Sequence, residues 1–384
     1  MKVFIIAGES SGDALGAALM AGLNDLCAGA RFEGVGGPLM QSQGLSSLFP
    51  MDELSIMGLA EVLPKYRHLK RRIRETAQAI TQSAPDVVVT IDSPDFCLRV
   101  LKLAKTVTPA LKTVHYVAPS VWAWRPGRAA KMARVVDHVL ALLPFEPPYM
   151  QTAGMSCDFV GHPVTTMPVA SVVDAAKFRA DHGIAADAPL ILGLPGSRKG
   201  EVQRLGPVFG AALQRLSSDH PALRVVVPTV AARAAQVREM VAEWPGDPVV
   251  LDAADTPAEV KRAAFRAADV ALAASGTVSL ELAAAGTPMV IAYRMNALSM
   301  AVISWMARVD TVTLVNLVSE TRVVPEYIGK ACLPGPISAS LSDLLSAGAG
   351  RNAQLQAMDL TMSRLGRGGE APGMRAARSV LSVL

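Results

Sequence analysis

Short continuous apolar runs recur along the chain, each followed by a turn and a helical pattern. The first, Lys2-Val-Phe-Ile-Ile-Ala7, is β-branched and aromatic. It leads through Gly8-Glu9-Ser10-Ser11-Gly12-Asp13 into a helical pattern over 14–27. The runs 86–91, 111–117 and 138–143 repeat the theme. Runs of this kind lack the strict apolar/polar alternation of a half-exposed strand. They are what strands buried on both faces of a parallel sheet require. Turn formers then cluster over 159–168 and the pattern restarts. Strands are predicted over 190–194, 223–228, 248–251, 269–273 and 288–292, alternating with helical stretches. The end of the chain, from about 337 to 384, reads as helix broken near Gly366 to Gly373.

Two successive sets of β-α repeats on either side of a joint predict an α/β protein with two Rossmann-like domains facing a central cleft. The expected boundaries are 1–165 for the first domain, 170–350 for the second and 351–384 for a helical tail.

Composition narrows the function. The 384 residues are 51% hydrophobic and 18% charged, with a net charge of +4. No apolar run reaches the roughly 18 residues of a membrane span. The longest candidate, 297–307, is short and lies between Arg294 and Arg308. Spanning is excluded, whereas peripheral contact with a membrane stays open. The charge excess is too mild to argue for a nucleic-acid partner. Cys27, Cys97, Cys157 and Cys332 form no CxxC pair and read as reduced thiols, while the six histidines show no metal-ligand spacing. The apolar run at the N-terminus is too short for a secretory leader, so a cytoplasmic setting is expected.

The chemistry centres on Ala274-Ser275-Gly276-Thr277-Val278-Ser279-Leu280-Glu281. A strand that turns through Ser-Gly-Thr into a helix leaves backbone N–H groups pointing out of the turn, and these favour a phosphate. Thr277 and Glu281 share a helix face, so Glu281 could accept from ribose hydroxyls one turn below a diphosphate. An ordinary N-capped helix has the same spacing. Pro195-Gly196-Ser197-Arg198 behind the strand 190–194 is a second anion-type loop, with Arg198 offering a fork of donors to phosphate oxygens. A solvated basic turn is its other reading. In the first half, Asp92 and Asp95 follow the strand 86–91, where open α/β sheets bind ligands. One is a candidate general base and the other a helix cap. The turn holding Glu9, Ser11 and Gly12 is a candidate pocket for a hydroxyl-rich or amine-bearing group, with Glu9 as acceptor. Pro119-Ser-Val-Trp122-Ala-Trp124-Arg125 reads as a site rim. Finally, the apolar stretch 54–64 abuts Lys65-Tyr-Arg67-His-Leu-Lys70-Arg71-Arg72-Ile-Arg74. An apolar tip with a basic collar suits an anionic bilayer surface, and a solvated helix face is the alternative.

Acids at strand ends in one half, and a phosphate cradle, an Arg and a ribose-type Glu in the other, fit transfer from a nucleotide-activated donor. Positioned N–H groups and Arg198 would take up charge on the leaving diphosphate, and Asp92 would accept the proton of the incoming hydroxyl. No DxD pair with metal-type surroundings is evident, so neither a metal nor a cofactor is expected.

At this point the sequence resembles the lipid-A-disaccharide synthase family, glycosyltransferases of the two-Rossmann-domain (GT-B) type. The residues that carry the likeness are Ala7-Gly-Glu9-Ser-Ser11-Gly12-Asp13, Met57-Gly-Leu-Ala-Glu61-Val62 and Ile91-Asp92-Ser-Pro-Asp95-Phe96. They continue with His115-Tyr-Val117, the loop from Pro119 to Arg125 and Leu143-Pro-Phe-Glu146. In the second half they are Leu194-Pro-Gly-Ser-Arg198 with Glu201, Ala274-Ser-Gly-Thr277 with Glu281, Pro288-Met-Val290 with Tyr293-Arg294, and Asn316-Leu317. Ala118 and Val315 depart from the family, which commonly has Ser and Pro there. The resemblance implies that UDP-2,3-diacylglucosamine donates its sugar to the 6-hydroxyl of 2,3-diacylglucosamine 1-phosphate, with inversion, giving a β-1,6-linked disaccharide and UDP. It implies work at the cytoplasmic face of the inner membrane of a Gram-negative bacterium. It sets Glu9 and Asp92 near the acceptor, Arg198, Ser275, Gly276, Thr277 and Glu281 near UDP, and adds Asn316 to the site. The expected partners are the two lipid substrates and the anionic membrane surface, with a homodimer left open.

Overall fold

The computed structural model of the chain describes residues 1–54, 59–125, 127–295 and 309–384, with the backbone alone over 59–66. Met57 and Gly58, the side chains of 59–66 and the apolar run 297–307 therefore lie outside the described residues. The chain divides into two compact units, 1–166 with 368–384, and 167–367.

The first unit holds a seven-stranded sheet made of β1 (Lys2–Ala7), β2 (Arg31–Val35), β3 (Ser46–Ser47), β4 (Val87–Ile91), β5 (Thr113–Tyr116), β6 (His138–Ala141) and β7 (Ser156–Phe159). Its order is β3-β2-β1-β4-β5-β6-β7, and every pairing is parallel. Phe4, Ile6 and Val88 enter one apolar cluster, and Val3, Ile5, Val87 and Val89 enter another on the opposite face. Burial on both faces is why these strands read as unbroken apolar runs. The pattern did not predict β2, β3, β7 or the later β13. These are short, lie at or next to a sheet edge, and mix polar residues into the run.

The second unit repeats the plan. Its strands are β8 (Leu190–Leu194), β9 (Arg224–Thr229), β10 (Val249–Asp252), β11 (Val270–Ala274), β12 (Met289–Tyr293) and β13 (Glu326–Ile328). The order is β10-β9-β8-β11-β12-β13, again parallel throughout.

The stretch 351–384 is shared out. The helix Ala349–Arg364 packs within the second unit, against the helices Leu314–Ser319 and Val278–Ala285. The helix Pro372–Ser382 returns to the first unit and packs along the helix Ser10–Leu26. Small residues set that approach: a Cβ on Gly22 would stand 2.9 Å from the Ala377 Cβ. Polar contacts fasten the same helix. The Ser379 hydroxyl lies 2.7 Å from His138 Nε2 and 2.6 Å from an Asp158 carboxylate oxygen.

Candidate active site

In each sheet the strand order reverses at one place, between β1 and β4 and between β8 and β11. Loops leaving the carboxyl ends of those strands diverge there and open a crevice. In the second unit Leu194 pairs with Ala273, so the loops after β8 and β11 leave side by side. Between them lies a cavity of about 730 Å3 lined by Gly196, Ser197, Arg198, Ser275, Gly276, Thr277 and Glu281. Five predicted site residues of the second half thus share one wall system. The opposite side is formed by Thr229, Val230 and Leu251 from the ends of β9 and β10. The volume is that of a pocket for a molecule of nucleotide-sugar size.

The two loops differ in what they offer. Gly276 and Thr277 precede the helix Val278–Ala285, and their N–H groups meet no acceptor among the described residues. A Cβ on Gly276 would enter open space. This turn therefore presents free donors at the positive end of a helix. The loop after β8 is already capped. Glu201, buried in the first turn of the helix Lys199–Asp219, accepts from the N–H groups of Ser197 and Arg198, both at 3.3 Å. Its other oxygen takes Arg198 Nη1 at 2.9 Å and the Tyr293 hydroxyl at 3.4 Å. The Arg198 loop therefore offers a guanidinium, 65% exposed, rather than spare amides.

Three further residues belong to this cavity, and local pattern marks them weakly or not at all. Glu201 is marked by the family likeness and by its spacing from Arg198, without a role in the site. Lys261 lies 2.8 Å from Glu281 and lines the same cavity. Thr229 turns a buried hydroxyl with no partner into the structure at this wall. Asn316 is placed differently. It is buried, donates to the Val324 carbonyl at 3.0 Å and accepts from the Val324 N–H at 3.0 Å, so its amide is spent on its own loop. Glu326 holds the same loop through the Thr311 hydroxyl and the Thr313 N–H. The Val312 carbonyl of that loop accepts from the Ser275 hydroxyl at 3.4 Å. Asn316 therefore lies behind the Ser275 turn rather than on the cavity surface.

In the first unit Ala7 pairs with Ile91, which brings Gly8 and Glu9 next to Asp92 and Ser93. Contact is close enough that a Cβ on Gly8 would lie 2.7 Å from the Ser93 hydroxyl oxygen. Backbone strain gathers at this edge. Asp92, Ser93 and Val117 have φ of +49°, +43° and +83°. Each such residue costs about 1–3 kcal/mol, which surrounding structure must hold in place. The Asp92 N–H donates to the Tyr116 carbonyl at 3.0 Å, and the Val117 N–H to the Leu140 carbonyl at 3.0 Å. Asp92 is half-buried and Asp95 is exposed in the first turn of the helix Pro94–Val107.

The turn after β1 is shorter than its pattern predicts, because the helix starts at Ser10 rather than near Ala14. Glu9 is half-buried at the helix entry and Ser11 is exposed. Gly12 is buried within ordinary contact distance of Ala7 and Ile91, so its role is close helix–strand packing. Asp13 is buried too, accepting from the N–H groups of Gly37, Leu39 and Met40.

The aromatic loop splits into two jobs. Trp122 donates to the buried Glu146 at 3.2 Å and meets the Phe145 ring edge-on at 5.1 Å. Burial pushes the Glu146 carboxyl up to about 7, opposed by hydrogen bonds from the Leu143 N–H and Trp122. Trp124 instead supports the Arg125 and Arg128 guanidinium groups, 4.4 and 5.8 Å from its ring centre. His115 is buried against the Thr90 hydroxyl, and burial lowers its pKa to about 4, which leaves a neutral packing residue.

The basic helix Leu59–Ser83 also sorts its charges by direction. Arg67, Lys70, Arg71 and Arg74 are exposed and follow the helical spacing of one face. Arg72 turns inward, clamps Glu53 through two nitrogens at 2.7 Å and lies 4.3 Å from the Phe49 ring centre. It is a structural residue and leaves the collar.

Residues 3–371 match the family model described as lipid-A-disaccharide synthetase. A lipid-A-disaccharide synthase from Ruegeria pomeroyi is 64% identical, with 100% of this chain and 96% of that protein aligned. One from Rhodospirillum centenum is 47% identical, over 100% and 95% of the two chains. Among solved structures, a UDP-GlcNAc 2-epimerase from Neisseria meningitidis bound to UDP-GlcNAc aligns with a TM-score of 0.65 at 12% identity, over 100% and 99% of the chains. That likeness shows the fold alone. The family match spans both sheets and both switch-point edges, and the chain belongs to the lipid-A-disaccharide synthase family.

Proposed function

We propose that this glycosyltransferase of lipid A biosynthesis transfers the sugar of UDP-2,3-diacylglucosamine to the 6-hydroxyl of 2,3-diacylglucosamine 1-phosphate. The second unit holds the donor. Its diphosphate sits on the Gly276 and Thr277 amides and the Arg198 guanidinium. Glu281, steadied by Lys261, accepts from ribose hydroxyls. Ser275 is kept in register by the loop that Asn316 ties down. The first unit holds the acceptor, with Glu9, Ser11 and Asp95 around its hydroxyl groups. Asp92 takes the proton as the acceptor oxygen forms its bond to the anomeric carbon. The bond to UDP breaks on the opposite face, its electron pair leaves with the diphosphate, and the configuration inverts. Donors fixed before reaction need no reorganisation as charge develops on UDP.

One observation carries this reading. Arg198, Ser275 to Thr277 and Glu281 line a single nucleotide-sized cavity at the switch point of their sheet. The strained backbone at Asp92 and Ser93 supports the assignment at the other sheet. The exposed stripe of Arg67, Lys70, Arg71 and Arg74 is the surface we assign to the anionic cytoplasmic face of the inner membrane. No helix among the described residues is long and apolar enough to cross a membrane. The test is a mass-spectrometric assay for the tetraacyl disaccharide with purified protein and both lipids. No disaccharide, or equal turnover of unacylated UDP-GlcNAc, would defeat the substrate assignment.

A further inference from the structure

A second cavity, of about 500 Å3, opens at the adjoining ends of β4 and β5. Its walls include Asp95, Pro119, Arg125, Arg128, Lys131 and Met132. Asp95 lies three residues beyond Asp92, and the cations come from the turn and the helix Gly127–Met132 that follow β5. Several basic side chains of this unit are paired: Arg72 with Glu53, Lys105 with Asp137, Arg378 with Glu370. Arg125, Arg128 and Lys131 have no carboxylate partner among the described residues. Arg125 and Arg128 are instead held by the face of Trp124, which fixes direction without neutralising charge. Arg125 also adopts a left-handed backbone, φ +49°. A non-glycine residue held there is strained, and such strain concentrates at ligand clamps.

We propose that this cavity is a phosphomonoester subsite, and that in the reaction it seats the 1-phosphate of the acceptor sugar. The assignment rests on the acceptor reading given above. Three cations against the single Asp95 carboxylate leave two positive charges in excess. A phosphomonoester carries about −1.5 to −2 at neutral pH and matches that excess, whereas a carboxylate brings half as much. Two guanidinium forks suit its planar oxygen pairs. Asp95 cannot favour the phosphate. It accepts from a sugar hydroxyl, so the cavity reads both ends of a sugar phosphate. The phosphate is then an anchor remote from the 6-hydroxyl, and its binding serves to orient that hydroxyl at Asp92.

The experiment compares wild type with R125Q/R128Q and with K131Q, in neutral detergent micelles and in vesicles containing anionic phospholipid. Charge-assisted hydrogen bonds of this kind predict that the acceptor KM of the double variant rises roughly 10- to 100-fold in micelles. UDP affinity and melting temperature should stay at the wild-type level. An acceptor whose phosphate is replaced by a methyl glycoside should bring wild type down to the double variant, with no further loss in the variant. R128K, which keeps the charge, should stay closer to wild type. Calorimetric titration with glucosamine 1-phosphate reads the subsite without turnover: wild type should bind and R125Q/R128Q should not. An unchanged acceptor KM together with equal binding of glucosamine 1-phosphate overturns the proposal. So does a loss confined to anionic vesicles, which would give these cations to bilayer headgroups. If wild type makes no disaccharide at all, the acceptor reading fails, and the titration still decides whether the cavity takes a sugar phosphate.

Discussion

Gly196→Ala tests how the cavity beside β8 and β11 is built. Gly196 has φ +108°, and an added Cβ would stand 2.6 Å from a Glu201 carboxylate oxygen and 2.8 Å from the Glu201 Cβ. The backbone strain alone is worth about 1–3 kcal/mol for a residue with a Cβ. Glu201 must also move, and it now caps the Ser197 and Arg198 amides. Losing those two long bonds adds about 0.5–1.5 kcal/mol each at most. A total near 3 kcal/mol is expected, which in a body of this size lowers the melting temperature by about 6–12 °C. Because Glu201 also orients Arg198, UDP affinity should fall as well. The assay is differential scanning calorimetry of the full chain with and without UDP, beside a UDP titration. A variant within about 0.5 kcal/mol of wild type and with unchanged UDP affinity would refute the view that Glu201, packed on a glycine, shapes the Arg198 loop.

The remaining predictions address other parts of the molecule. Asp92→Ala should lower disaccharide formation by about 100-fold or more while the UDP dissociation constant holds, as expected of a general base; equal loss of both would remove Asp92 from that role. Glu146 has a folded value of about 7 against 4.5 for the free group, so its contribution to stability is fully present below pH 4.5 and is lost as pH rises through 7. Melting curves of wild type and Glu146→Gln should therefore converge or cross in favour of the variant between pH 5 and pH 8; a constant gap would show that the buried carboxyl does not titrate in that window. Reversing Arg67, Lys70, Arg71 and Arg74 to Glu should release the protein from anionic vesicles with little change in melting temperature, since each charge near such a surface is worth about 1 kcal/mol. Arg72→Glu should instead destabilise the first unit, because it breaks the two-nitrogen clamp on Glu53; sedimentation and calorimetry together separate the two outcomes.

Much of the fold, and the residues that gather at the candidate site of the second unit, were legible in the sequence. Strands buried on both faces must be apolar throughout, so β1, β4, β8, β11 and β12 announce themselves as unbroken runs. Each ends where glycine, serine and charged residues take over, and this marks the loops of Asp92, Arg198 and Ser275. Short strands at or next to a sheet edge, such as β2 and β13, carry no such run and are not predicted. Tertiary structure alone decided which residues of a motif face outward. Gly12 and Asp13 sit in the same motif as Glu9, yet they pack and cap, because the helix begins at Ser10 and turns them inward. Asn316 and Arg72 are likewise spent on other residues of the protein, Val324 of its own loop and Glu53 nineteen residues back. The helix Pro372–Ser382 belongs with the first 166 residues through contacts that no local pattern encodes. Local sequence fixes periodicity and turn chemistry. The direction of a side chain, and the partner it meets, follow from strand order and register between segments distant in the chain.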